Sequence, residues 1–471
     1  MTTDLLDTTL VSRLLGRALG HGGEFAEVYV QKRKTLGLEL DDGIIRSTSS
    51  AAVHGVGIRV IRGAATGYAH SDDLSEEALL LCAESAAQIA QHSQSGEMVK
   101  PLQQTQRPTH SDPKQPPSET SIDGRLDFLM RAHREASRVS TNLEKILGGY
   151  ADTDEEILIA NSEGLLIHDR RALCRLSLQV ILKDKEEDGR PKVGYYGGGS
   201  RVGTQHFESI LTPETIAAEA VRMASAQMGA RAAPVGEQTV VLGPASSGIL
   251  LHEAIGHGLE ADFIRKKSSL FTDRVGDSVA SELCTVIDTG TLEGRRGSLN
   301  VDDEGTPTQE NVLIEKGILR AYMSDKHNAK LMGAVSSGNG RRQSFRHIPL
   351  PRMTNTYLAP GEHDPEEIVK EVKSGLYCRA FGGGQVDIAN GNFVFEVREG
   401  YLIEDGRITA PVQGATLVGN GPDALAKVSR VGSDLDFDPG VYTCGKAGQS
   451  VPVTVGLPTV RLDGITVGGT G

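Results

Sequence analysis

"KILGGYADTDEEILIANSEGLLIHDRRALCRLSLQVILKD" spans residues 145–184. Apolar and polar residues alternate along it, which is the period of a half-buried strand. "SEG" at 162–164 is the clearest turn signal inside it. The stretch therefore reads as strands, a turn, and a long returning strand. A helix follows in "LTPETIAAEAVRMASAQMG" (211–229), with Thr212 as its cap and Pro213 at its first position.

The same order of elements occurs earlier in the chain. "AEVYVQK" (26–32), "LGLELDDG" (36–43), "IIRSTS" (44–49) and "HGVGIRVIRG" (54–63) read as strands, with a hairpin turn at "DDG". "SEEALLLCAESAAQIAQ" (75–91) closes this part as a helix capped by Ser75. The pattern predicts an α+β protein with two related strand-helix halves, 1–92 and 120–230. Between them, 93–119 is a Pro/Gln-rich linker or extended excursion, and "SIDGRLDFLMRAHREASRV" (121–139) returns to helical spacing. "ARAAPVGE" (230–237) marks a boundary. The remainder, 238–471, carries many short strands and few helices (245–259 and 364–375 are the clearest). It reads as a strand-rich, barrel-like or sandwich domain.

Composition narrows the function classes. The 471 residues carry a net charge of −13, which argues against partners rich in phosphate and against anionic membranes. No run approaches the ~18 apolar residues of a membrane span. The N-terminus reads as a docking helix rather than a signal peptide. Cys82, Cys174, Cys284, Cys378 and Cys444 are scattered and form no CxxC pair, so a reducing, cytoplasmic setting is expected. "HGVGIRVIRG" holds part of a dinucleotide fingerprint, but Val60 stands where the third glycine belongs, and nucleotide binding is rejected.

The chemistry concentrates in "GILLHEAIGHGLEAD" (248–262). An apolar helix with one histidine is ordinarily core. Two histidines and a glutamate are different: with 13 His in the chain, H-E-x-x-x-H arises by chance about 0.03 times. His252 and His257 are five residues apart, so a regular helix turns their imidazoles roughly 140° from each other. A π-bulge brings i and i+5 toward one face, and Gly256 would ease it. Such a pair suits zinc, and Glu253 is placed to act as a general base on water. Glu260 is either a carboxylate orienting an imidazole or a helix-end surface acid. A third ligand is required. Cys284, Cys378, Cys444, His327, His347 and Glu260 are all candidates, and spacing alone does not choose among them.

"HEAIGHGLEAD" (252–262), "RHIPLPRMTNTYL" (346–358), "FGGGQVD" (381–387) and "YTCGKAGQ" (442–449) together resemble the TldD/PmbA family, over nearly the whole chain. The resemblance is to its metal-bearing branch. It implies a zinc metallopeptidase acting on small or unstructured peptides, including modified peptide precursors. It makes His252, His257 and Cys444 the ligands of one zinc, and Glu253 the catalytic base. It also implies pairing with a metal-free PmbA (TldE)-like paralogue, or else a homodimer.

Other stretches read as walls of a peptide cleft. Arg341, Arg342, Arg346 and Arg352 either hold a peptide carboxylate or pair with structural acids. Arg346, His347 and Arg352 are kept as substrate-binding candidates. Gly383 and Gly384 would let a peptide backbone approach closely, or else form a sharp turn. The competing function is a non-catalytic regulatory partner with a structural metal, in line with the family's association with DNA gyrase. Glu253 separates the two readings, because a structural zinc has no need of an adjacent base.

Overall fold

A computed structural model of the protein describes residues 5–89, 98–140, 142–183 and 191–469. Helix α1 (Thr8–Leu19) is capped by Asp7, whose side chain accepts from the Leu10 N–H at 3.0 Å. Strands β1 (Phe25–Asp41) and β2 (Ile44–Arg62) then form one long hairpin. The four short strands expected here are two long ones, because each backbone finds its ladder partners through Gly37 and the exposed Ser47–Ser50 run. The turn falls at Asp42 and Gly43, both left-handed with φ of 47° and 82°, as a two-residue hairpin requires. A third strand, β3 (Ala65–Ser71), lies beside β2, and α2 (Glu76–Ile89) follows.

The second half repeats the plan. It comprises α3 (Ile122–Val139), β4 (Leu143–Asn161), β5 (Leu165–Leu182), β6 (Lys192–Ser200) and α4 (Pro213–Ser225), the last capped by Thr212. The turn between β4 and β5 has Gly164 at φ 97°. The halves fuse into one sheet, because β1 pairs antiparallel with β4 from Glu27↔Asn161 to Asp41↔Leu147. The strand order is β3-β2-β1-β4-β5, with β6 on the far side of β5. Of the 93–119 linker, 93–97 lie outside the described residues. The rest straps the sheet edge: Gln103–Gln104 pairs with β5, and the Arg107 Nε donates to the His168 carbonyl at 3.0 Å.

Alternation along the strands gives the sheet two unlike faces. Ala26, Val28, Val30, Val56, Ile58 and Val60 pack under α1 and α2. Leu36, Leu38, Leu176 and Leu178 pack under α3 and α4. The opposite face meets the C-terminal part through buried charge. Arg59 bridges Glu27 (2.8 Å) and Glu304 (2.6 Å), Arg342 also reaches Glu27, and Arg171 reaches Asp303 (2.5 Å). Gly55 and Gly57 of "HGVGIRVIRG" serve this contact. A Cβ at Gly55 would lie 2.3 Å from the Phe345 ring, and one at Gly57 would lie 2.4 Å from the Phe345 carbonyl.

The C-terminal part is built on a closed five-stranded barrel. Its strands are β7 (Gly236–Leu242), β8 (Ser374–Val386), β9 (Asn392–Glu404), β10 (Thr416–Asn420) and β11 (Val460–Gly468). The ring runs β8-β7-β11-β10-β9 and closes through β8–β9. A sheet of short strands, including Val286–Thr289, Asn355–Leu358 and Thr454–Leu457, stands beside it. The expected helix over 364–375 is helical only across Pro365–Lys370, and Ser374 already begins β8. The helical run from Ser246 lies between barrel and sheet. Ile249, Leu250, Leu251, Ala254, Ile255 and Leu259 fill one core with residues of both.

Candidate metal centre

The run that carries the histidines changes pitch as it goes. Ser246–Gly248 is a 3₁₀ turn, Ile249–Leu251 is α-helical, His252–Gly256 is a π-helical turn, and His257–Leu259 is 3₁₀ again. The His257 N–H donates to the His252 carbonyl, which is the five-residue bond that widens the turn. The two rings consequently stand edge to face with centroids 5.1 Å apart. Gly256 is required by packing as well as by the widening. A Cβ there would lie 2.0 Å from the sulfur of buried Met353. Gly256→Ala is expected to destabilise the protein by about 1–3 kcal/mol through overpacking, and to weaken whatever affinity for zinc the His252–His257 pair has. Thermal unfolding with and without zinc checks this.

Cys444 arrives from a hairpin, Thr443–Lys446 paired with Gln449–Pro452. Its turn uses Ala447 and Gly448 at φ 49° and 74°. The Cys444 sulfur lies 3.4 Å from His257 Nε2, and one donor atom from each of His252, His257 and Cys444 falls within 4.8 Å of the others. All three are buried, at 1%, 7% and 3% exposure. Two imidazoles and a thiol so arranged suit a zinc-like ion. Among the described residues, His252 Nδ1 is buried with no hydrogen-bond partner, which leaves a donor atom open to such an ion.

Charged neighbours set the protonation of the cluster. His257 Nδ1 sits 3.0 Å from Glu260, and Lys446 Nζ lies 3.0 Å from the same carboxylate oxygen and 2.6 Å from Asp262. Glu260 and Cys444 outweigh burial and hold the His257 imidazole well above its ordinary value; Nδ1 faces the carboxylate, which leaves Nε2, toward Cys444, as the nitrogen that would give up its proton to a metal. Burial alone would raise Glu260, but His257 and Lys446 outweigh it and hold the carboxyl down to about 2. Burial likewise opposes ionisation of Cys444, yet the adjacent His252 and His257 hold the thiol well below its ordinary value. Glu253 is the open member of the group. Its side chain is 22% exposed, and its carboxylate lies 4.0 Å from His257 Nε2.

The remaining candidates stand elsewhere. Arg352 is fully buried and donates to the Cys444 carbonyl at 2.5 Å and the Gln449 carbonyl at 3.4 Å, bracing the hairpin. Arg346 pairs with Asp72 at 3.1 Å, and His347 Nδ1 meets the Ser344 hydroxyl at 2.9 Å. Gly383 and Gly384 lie within β8 rather than in a sharp turn. A Cβ at Gly384 would strike the Phe395 ring at 2.1 Å, while Gly383 faces open space. Cys284 and Cys378 sit in the apolar core. Sequence reading passed over Lys446 and Asp262. The available signal was the lysine two residues after Cys444, which a strand places on the same side.

A buried His–His–Cys set with a partly exposed carboxylate at its rim, on this α+β frame, defines a candidate metalloprotease. Three family models match in succession: PmbA/TldA metallopeptidase domain 1 at residues 26–90, the central domain at 115–228, and the C-terminal domain at 235–469. The chain belongs to the PmbA/TldD metallopeptidase family. A Haemophilus influenzae protein named metalloprotease TldD homolog is 44% identical over 95% of this chain and 93% of its own. A Saccharolobus solfataricus protein named zinc metalloprotease TldD homolog is 35% identical over 50% of this chain and 52% of its own. The crystal structure of TldE from Thermococcus kodakarensis superposes with a TM-score of 0.78 at 21% identity, covering 98% of this chain and 100% of that one. Among the described residues no helix is long and apolar enough to cross a membrane.

Proposed function

We propose that the protein is a zinc-dependent peptidase of small or unfolded peptides, modified peptide precursors among them. His252, His257 and Cys444 would hold one zinc, and Glu253 would act as general base. The observation that carries this reading is the pairing of three buried donors with a single partly exposed carboxylate 4.0 Å from His257 Nε2. When bound, zinc supplies Lewis acidity that lowers the pKa of a water and polarises a carbonyl. Glu253 takes the proton from the attacking water and returns it to the leaving amine nitrogen. Glu260 and Lys446 keep the His257 ring in one tautomer, and Arg352 keeps the Cys444 hairpin in place.

In the same reading, the division of the chain at 92, 119, 230 and 238 marks two related halves and a catalytic part. The open face at Gly383 would take a peptide backbone, with Arg346 and His347 further along the substrate path. A TldE-like paralogue is the favoured partner, supported by the likeness to the TldE fold; a homodimer is the other. The setting is cytoplasmic.

Metal analysis of the purified protein, joined to mass-spectrometric digestion of an unstructured peptide pool, tests the proposal. The expected result is about one zinc per chain and cleavage that chelation abolishes and zinc restores. Zinc-loaded protein that cleaves nothing, alone or with a TldE-like partner, would overturn the peptidase reading.

A further inference from the structure

Between the β1–β4–β5 face of the large sheet and the Cys444 hairpin lies a cavity of about 210 Å³. Five arginines line it, against two acids, Glu155 and Asp303. Three of them have carboxylate partners: Arg33 with Glu155 (3.1 Å), Arg171 with Asp303 (2.5 Å), and Arg342 with Glu27. The other two have no carboxylate in ion-pair contact among the described residues; Asp303 favours both charges, but only from a distance and without outweighing burial. Arg201 is 6% exposed and its Nε donates to the Arg296 carbonyl at 2.9 Å. Its two terminal nitrogens have no acceptor among the described residues. Arg341 is 2% exposed and spends its terminal nitrogens on the carbonyls of Met353 and Pro452. Carbonyl contacts satisfy donors but do not cancel a charge, and folded proteins pair their buried charges.

We propose that this cavity is an oxyanion site, taking a carboxylate or phosphate group that supplies the counter-charge for Arg201 and Arg341. Arg201 presents a planar two-pronged donor to such a group. The volume is below that of ordinary drug-sized pockets, so it admits a small anion or the carboxylate end of a peptide and no larger body. Burial, then Arg341 and Arg171, pushes Arg201 down to about 9, so the guanidinium is still charged at neutral pH and an arriving anion relieves that opposition. The cavity also touches the metal-bearing hairpin. Val451 and Pro452 line it, and Val451 pairs directly across from Cys444. This inference is independent of the zinc reading, because its geometry involves none of the metal donors.

Thermal unfolding and calorimetric titration of the full chain test it, with inorganic phosphate measured against chloride at matched ionic strength. A second arm compares a short peptide bearing a free C-terminal carboxylate with its C-terminal amide. The wild type is expected to gain stability with the concentration of phosphate, of the free-carboxylate peptide, or of both. Response to phosphate alone assigns the site to a free ion, and response to the peptide acid assigns it to a peptide terminus. Arg201→Met should fold at least as stably as the wild type without anion and lose the response. Arg201→Lys, which keeps the charge but not the fork, should bind about tenfold more weakly. No oxyanion-specific stabilisation of the wild type, or an undiminished response in Arg201→Met, overturns the proposal.

Discussion

Glu253→Gln is expected to keep its zinc and lose peptide hydrolysis by about 10³-fold in kcat/KM, the middle of the range for removing a positioned general base. The substitution keeps the shape of the side chain and takes away only its ability to accept a proton. Stability should barely change, because the side chain is 22% exposed and is not one of the three clustered donors. Zinc content and turnover on the same peptide should therefore separate. Turnover close to wild type would remove Glu253 from the mechanism. Loss of zinc together with turnover would make its carboxylate a ligand rather than a base. The comparison also decides between a peptidase and a regulatory partner with a structural metal, since the latter has no hydrolytic activity for the substitution to abolish.

The histidine pair was legible because a spacing of five conflicts with helical geometry. Only a local change of pitch reconciles the two, and the structure supplies it as the π-helical turn His252–Gly256. Cys444 was not legible from spacing, because its hairpin lies far along the chain and contacts His257 only through the tertiary fold. The hairpin ends in the N-terminal half were readable at Asp42–Gly43 and Gly164, where φ is positive. The strands between them run longer than local signals imply. Gly37 and the Ser47–Ser50 run resemble breaks in isolation, yet each is bonded to a partner strand that carries the ladder through. The face with Glu27 and Arg59 shows the limit of alternation. Polar and charged residues on alternate positions look solvated, but here Arg59 and Glu27 are buried against Glu304 and Arg342, 245 and 315 residues away in sequence. Which polar face meets water depends on what covers it, and a strand's own sequence does not encode that.

Cys444→Ser should weaken zinc binding by more than about 100-fold, since loss of a partner that merely orients a ligand already costs 10–100-fold. A serine hydroxyl is a poor donor to zinc because it remains protonated near neutral pH, whereas the native thiol is prepared to ionise. The other four cysteines provide the control. All are buried, but burial dominates their chemistry and pushes Cys82 and Cys174 up to about 11 and Cys284 up to about 12, with Cys378 also raised. Only Cys444 is driven the other way, because only it faces two imidazoles. Cys284→Ser and Cys378→Ser should therefore cost some packing and leave zinc affinity within a few-fold of wild type. Competitive titration with a zinc chelator measures all three variants. A Cys444→Ser protein with native affinity would exclude the thiol as a ligand. Since His252 and His257 alone do not complete a zinc site, the third donor would then have to be sought nearby, and Glu253, already at the rim with its carboxylate 4.0 Å from His257 Nε2, is the group in reach.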